Sequence, residues 1–357
     1  MVHLLRRSAP ALLALVLVPA TVSGTDTAGG GRPAAGESSA DSVPQGSGGG
    51  VRGPWAVMGV TATGVTEAAW AAGGPGTLQL LTVGLEPELS QGLGVRLELM
   101  GKIGHDGAPF ASAQGLSSLD AEDFGGVGEA WLEWRTRGAQ GETTGRGLRL
   151  KLGRVDANTE FAYSDAAAAF GNPSFGMSPV LAVLPTYPSP ATSVNVFARA
   201  GATSPEVGSG LYRTADGTYV LVGQLSGEIR GPGTVRWSAG WAGSLAGPEA
   251  QAGAYLVVER ASDERWSPFL MVSGAGGGRG HVAAGATLPR LPFRLPATVG
   301  VGATLLRDPG TADEAVAEVF GTLMPVGWLR LQLHGQLHVA DGSRPSAAGL
   351  FRVVVEG

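Results

Sequence analysis

Three groups of side chains carry the chemistry available to this chain: Arg96, Glu98 and Lys102; Glu129, Trp131, Glu133 and Arg135; and Arg149 and Lys151. Within each group the spacing is even. On a strand, where successive side chains alternate faces, that spacing puts a whole group on one face. Carboxylates accept hydrogen bonds, and guanidinium and ammonium groups donate them. A face of this kind can therefore hold polar groups that do both. Trp131 adds an aromatic surface, either as a platform within that face or as a strand residue packed beneath an inward-folded loop. The same charges also fit a wetted wall whose ion pairs hold the strands in shape.

Other chemistries fit the residues less well. His334 and His338 would meet on a helix, but four positions along a strand separate them by about 13 Å, too far to share a metal ion. Gly274 to Gly280 lacks the Lys-Ser/Thr that a phosphate loop needs and reads as a hairpin turn. No Gly-x-Ser-x-Gly elbow is present. A hydrolase using His281, His334 or His338 with a rim serine is the enzymatic alternative. Asp120, Glu122 and Asp123 read as an acidic, solvated turn ahead of a calcium loop. There is no cysteine, which excludes disulfides, thiolate catalysis, Cys-based metal sites and a lipid-anchor Cys. No cofactor or metal is implied.

The elements that must position these residues follow from composition. Charged residues make up 15% of the 357 and glycine accounts for 59, far from the roughly 25% charge and 7% glycine of an ordinary soluble domain. The formal charge of −5 and the lack of a basic cluster argue against nucleic acid as a partner. Residues 1–24 read as a signal peptide: Arg6 and Arg7, a short apolar run with Pro10 and Pro19, then small residues near Gly24. Residues 25–50 form a Gly/Ser-rich leader with too little apolar surface to offset the entropy of ordering. No later apolar run approaches the ~18 residues of a spanning helix. An exported, hydrophobic, charge-poor chain without spanning helices points to a closed antiparallel β-barrel, all-β and transmembrane, over residues 51–357.

Segments of about ten residues between Gly, Pro, Asp and Ser clusters support that fold. Strand starts fall near Trp55, Thr77, Gly92, Val127, Gly147, Ala191, Gly208, Thr218, Thr234, Gln251, Arg265, Gly280, Ala297, Asp313, Trp328 and Ala347. That makes sixteen, or fourteen if Gly208–Thr218 and the Arg265 segment, which contains Pro268, are not separate strands. Trp328 to Val339 sets inside from outside. Arg330, Gln332, His334, Gln336 and His338 share one face, and Leu329, Leu331, Leu333, Leu337 and Val339 share the other. A cation on the lipid face costs about 2–4 kcal/mol at the midplane, so the polar face lines the lumen. The same rule turns the three charged groups inward onto one wall and leaves Trp134 on the lipid face as an interfacial residue.

Two phrases carry a family resemblance. Gly153-Arg154-Val155-Asp156 followed by Glu160-Phe161-Ala162 closes a strand and opens a small-residue and Pro-rich stretch that includes Phe170-Gly171-Asn172-Pro173-Ser174-Phe175-Gly176. Upstream stand Ala113-Gln114-Gly115-Leu116-Ser117-Ser118-Leu119-Asp120 and Glu129-Ala130-Trp131-Leu132-Glu133. Together they resemble the carbohydrate-selective porins of the OprB-like type. The resemblance covers about Gln114 to Val207. It implies an outer-membrane channel passing small sugars passively into the periplasm, with the charged wall as its sugar-contacting surface, outer-membrane lipid around it, and a monomer or trimer as its state. A general diffusion porin is the nearest alternative; a structural or enzymatic barrel is more distant. Prolines at 173, 179, 185, 188 and 190 keep Asn172 to Pro190 out of a central strand. That stretch is an ordered loop, expected either to fold inward with Phe175 and Tyr187 near a constriction or to cap the mouth. The alternating pattern runs on through Phe351 to Glu356 and the chain ends on Gly357, without the terminal aromatic residue common in such barrels.

Overall fold

Alternating inward and outward residues build one closed sheet. The computed structural model describes residues 59–357 except 72–73, 91, 106–111, 137–145, 202, 232, 246–250, 262–265, 289–295 and 311. The signal peptide, the leader and the strand start at Trp55 lie outside the described residues. The strands are β1 (Val60–Ala71), β2 (Gly74–Leu85), β3 (Glu88–Ser90), β4 (Leu93–His105), β5 (Phe124–Arg135), β6 (Arg146–Val155), β7 (Ala191–Ala200), β8 (Glu206–Arg213), β9 (Tyr219–Ile229), β10 (Thr234–Ser244), β11 (Ala252–Ala261), β12 (Ser267–Ala275), β13 (Arg279–Leu288), β14 (Ala297–Arg307), β15 (Glu314–Val326), β16 (Leu329–Ala340) and β17 (Ser346–Glu356). Because β2 pairs directly with β4 and β3 only prolongs that edge, the wall has sixteen strands. It closes antiparallel through β1 and β17, with Thr63 opposite Glu356 and Trp70 opposite Gly349. Closure leaves no edge along the seam, which is how a sheet crosses hydrocarbon. Among the described residues no helix is long and apolar enough to cross a membrane.

The outer face is apolar. Leu81, Leu97, Leu99, Ile103, Leu132, Val196, Leu256, Val301, Leu333 and Leu337 all point outward and are exposed. Aromatic residues collect at both ends of this belt: Trp70, Tyr219 and Trp241 at one, Trp134, Trp266 and Trp328 at the other. Two such girdles mark membrane–water interfaces. Leu333, 61% exposed near the middle of β16, gives a direct test of the outer face. Leu333→Arg lowers the unfolding free energy of the refolded barrel in lipid by about 2–4 kcal/mol, read from urea titration, while Gln332→Arg on the inner face costs far less.

The inside is occupied by chain as well as wall. Both long connections, β4 to β5 and β6 to β7, leave the same end, here called the loop end; the opposite, turn end carries both chain-terminal strand ends. From Asp156 the second connection runs inward as short turns and one helical turn, α1 (Pro173–Gly176), which is capped by Asn172 Oδ1 accepting from the Ser174 N–H with proline in the first turn. Its Phe161, Phe170, Phe175, Leu181 and Leu184 are buried against Phe197, Tyr212, Tyr255, Phe269, Met271 and Phe320 of the wall. Phe170 and Phe175 stack at 4.3 Å between centroids, and Phe269 and Phe320 meet Phe170 edge-on. Each side chain of this size contributes roughly 1.5–3 kcal/mol on burial.

Part of the glycine content serves this packing. A Cβ at Gly302 would lie 2.7 Å from Phe175 and 2.9 Å from Phe170, and one at Gly210 would press on Asn195, Tyr212 and Phe161. Glycine at such inward positions makes room for the loop's rings. Gly153 does a different job: at φ 138°, with no Cβ to strike the Ala130 carbonyl, it lets β6 pass close to β5 just before the chain turns inward.

Candidate functional site: a paired ionic wall under an inward loop

Register brings the charged groups together. Arg96 lies opposite Trp131, and Glu133 lies opposite Lys151. A bulge in β5, where Leu97 pairs with Ala130 but Leu99 with Val127, keeps Glu129 facing inward while Val127 returns to the lipid face. Arg96 ion-pairs with Glu98, with Glu129 at 3.2 Å and with Glu86 at 3.0 Å. Glu133, 3% exposed, is held by Arg135, by Arg149 at 3.2 Å and by Lys151 at 3.3 Å. From the loop, Glu160 closes the network onto Lys151 and onto Arg149 at 2.7 Å.

Cations and carboxylates interleave in this network, four of one and five of the other. Arg96, Arg135, Arg149 and Lys151 face Glu86, Glu98, Glu129, Glu133 and Glu160. Arg149 also lies 3.8 Å over the Phe197 ring, and the Lys151 ammonium 4.0 Å over the Trp131 ring. Such contacts hold flat and charged groups in fixed positions. Because the two signs interleave, the guanidinium edges and carboxylate oxygens stay polar without a large field of one sign.

The loop is tied to this wall at its root. The Glu129 carboxylate accepts the Asp156 N–H at 3.0 Å, and Asp156 in turn accepts from Asn158 N–H, Thr186 Oγ1 and Tyr187 N–H. Burial raises the Asp156 pKa, and those three hydrogen bonds counter part of the rise. The Tyr187 hydroxyl donates to the Leu119 carbonyl, and burial, reinforced by Asp120 and Glu67, pushes its pKa up to about 12.

Several expected roles change on this geometry. Lys102 is fully buried, bonded to the carbonyls of Gly104 and Ala121 and 3.5 Å from Asp120, so it pins the first loop and is not a lumen-lining donor. Trp131 is only 7% exposed and belongs to the apolar cluster under the loop, so the packed reading holds and the platform does not. The loop folds inward, but Phe175 is buried inside that cluster and lines no constriction. Arg135 stands at the turn end with its side chain 44% exposed. Asp120, Glu122 and Asp123 form no metal-binding group among the described residues, and Asp123 caps the Gly104 N–H at 2.8 Å.

Sequence reasoning missed the carboxylates that clamp the loops. Glu318 accepts the N–H groups of Gly171 and Asn172 at 2.7 and 2.9 Å; Glu314 accepts the Ala113 N–H at 2.9 Å and the Ser112 hydroxyl; Glu259 accepts Ser164 Oγ at 2.7 Å and the Ala166 N–H at 3.3 Å. Arg352, paired with Glu67, donates to Ser117, Ser118 and the Gly171 carbonyl and so joins both loops. The only signal available was parity: Glu314 and Glu318 fall on the inward positions of β15.

No protein-family model and no curated protein sequence matches this chain. Solved structures do match its fold. The high-pH structure of Pseudomonas putida OprB superposes with a TM-score of 0.72 at 12% identity, over 85% of this chain and 95% of that one. OpdK, an outer membrane protein of Pseudomonas aeruginosa, gives 0.52 at 11% identity over 84% and 98%. An anion-selective porin from Comamonas acidovorans gives 0.51 at 13% identity over 84% and 99%. By its fold, therefore, this chain is a closed sixteen-stranded antiparallel β-barrel similar to those of these solved structures.

Proposed function

We propose that the chain is a passive channel of the bacterial outer membrane whose lumen favours small neutral sugars over ions. The observation that carries this reading is the paired ionic wall: four cations interleaved with five carboxylates, one of them supplied by the inward loop. A neutral sugar gains donors and acceptors from such a surface, whereas a free ion meets little net attraction. The OprB-like phrases at Gly153 to Ala162 and Glu129 to Glu133 support the same solute class. By the usual arrangement of outer-membrane barrels, the long loops face outward and the short turns face the periplasm. Passage also requires release, so binding in the millimolar range, near −4 kcal/mol, suits the lumen better than tight capture.

The test is a titration of glucose against single-channel current for the refolded protein in a planar bilayer. Open channels are blocked at millimolar glucose, and the Glu133→Ala/Arg149→Ala pair weakens that block about five- to tenfold with conductance retained, as expected from losing about one charged hydrogen bond to the solute. Open channels indifferent to sugar would leave a general diffusion porin; no channel would leave a structural or enzymatic barrel.

A further inference from the structure

One stretch of wall outruns its neighbour. β5 pairs with β6 from Ala130 to Arg135, but from Phe124 to Glu129 only β4 flanks it, because β6 stops at Val155 and the chain turns inward. The Gly128 carbonyl on this edge is taken by Arg154 Nε at 3.0 Å. Along Phe124 to Val127 no described strand covers the second side. Unpaired peptide groups in hydrocarbon cost several kcal/mol each, so this part of the rim stands in water at the loop end.

The open edge borders a cavity of about 640 Å³ formed by residues 120–127 with Arg154, Pro188 and Ser189. That volume lies within the roughly 300–1,000 Å³ of small-molecule sites. Its chemistry is mixed. Glu122 and Asp123 offer carboxylate acceptors, Arg154 and the bare peptide edge offer donors, and Pro188 with Phe124 offers apolar surface. Three carboxylates against one guanidinium disfavour an anion. Lys102, 3.5 Å from Asp120 and 4.0 Å from Asp123, offsets part of the negative charge and so weakens the case for a cation.

We propose that this notch is an entry subsite, distinct from the ionic wall, that holds a neutral polyhydroxylated solute of one or two sugar rings before it passes the inward loop. The subsite rests on the sugar-channel reading and extends it to a second place on the molecule. Vicinal hydroxyls of the solute donate to Glu122 and Asp123 and accept from Arg154 and the peptide edge, while a C–H face of the ring lies on Pro188.

One glycine makes the notch testable without disturbing the wall. Gly126 lines the notch and a Cβ there meets nothing within 4 Å, so a side chain has open space to enter instead of clashing. In a phospholipid bilayer free of glycolipid, only added sugar can occupy the subsite. Glucose on the loop-end side of the wild type blocks with a given on-rate; Gly126→Phe lowers that on-rate about tenfold, leaves the on-rate from the turn end within about twofold, and leaves salt conductance unchanged. Glu122→Gln, a change at the exposed rim, lowers the loop-end on-rate about threefold and carries the test if Gly126→Phe fails to refold. Loop-end on-rates unchanged in both variants, with wild-type block intact, would overturn the subsite alone. A wild type that conducts but shows no sugar block from either side would overturn both the subsite and the sugar-channel reading.

Discussion

Glu318→Ala loosens the inward loop more than any other single change to the wall. The Glu318 carboxylate is completely buried and takes four groups at once: the Gly171 and Asn172 N–H at 2.7 and 2.9 Å, His334 Nδ1 at 2.9 Å and Gln336 Nε2 at 2.9 Å. A hydrogen bond to a charged acceptor contributes about 1.5–3 kcal/mol net, and each buried N–H left unpaired costs about 1–3 kcal/mol. The contributions are not additive, and a combined loss of roughly 3–6 kcal/mol in loop anchoring is the expected scale. Because the sixteen-strand ladder is untouched, the barrel itself still refolds. Single-channel recordings show a larger, noisier conductance, and limited proteolysis cuts within residues 162–176, which the wild type protects. Glu318→Gln keeps one acceptor oxygen but turns an amide toward the second N–H, and falls between the two. Glu228→Ala removes a carboxylate that pairs with Arg236 at 3.6 Å and leaves the loop's own bonds in place, so its channel stays quiet. Quiet, wild-type conductance in Glu318→Ala would show that aromatic packing alone holds the loop.

The contrast between what the residues announced and what they hid has a physical cause. Period-two alternation is a property of each strand by itself, so the sixteen strand starts and the inward facing of Arg96, Glu133, Arg149 and Lys151 could be read locally. The described starts, from Gly74 against an expected Thr77 to Ser346 against Ala347, lie within a few residues of the expected ones. The Arg265 segment is a true strand, with Pro268 second in β12, where it sits at a strand end and costs little. What could not be read locally is which object faces a given inward side chain. Glu318, Glu314 and Glu259 carry the same parity signal as a wet lumen residue, yet each meets loop backbone some 90 to 200 positions away in sequence. Lys102 was misplaced, and the two readings of Trp131 could not be separated, for the same reason: their burial depends on loops whose path through the barrel no strand pattern encodes. The role of Gly302 appears only when Phe170 and Phe175 are seen against it.

The second large effect concerns charge. Glu160 is the only carboxylate of the ionic wall that arrives on the loop, and it answers both Lys151 and Arg149. Glu160→Gln removes one negative charge from the half of the network where Arg135, Arg149 and Lys151 meet Glu133 and Glu160, leaving all three cations to share Glu133. On the channel reading proposed above, ions that permeate past the inward loop pass close to this added positive charge. At 0.1 M KCl the screening length is about 10 Å and the charge is felt across the remaining opening; at 1 M it is about 3 Å and the charge is largely hidden. A salt gradient across the bilayer therefore gives a reversal potential displaced toward that of chloride in Glu160→Gln, and the displacement shrinks as total salt rises. Sugar block weakens as well, about five- to tenfold, because Arg149 loses the partner that fixes its donors in place. The two readouts separate two roles. A shifted reversal potential with unchanged sugar block makes Glu160 a charge-balancing residue only. A weakened block that Glu160→Asp partly restores makes it a positioning residue for Arg149. An unchanged reversal potential at low salt would take the whole wall off the ion path, because a net unit charge beside a narrow, weakly screened opening cannot be silent.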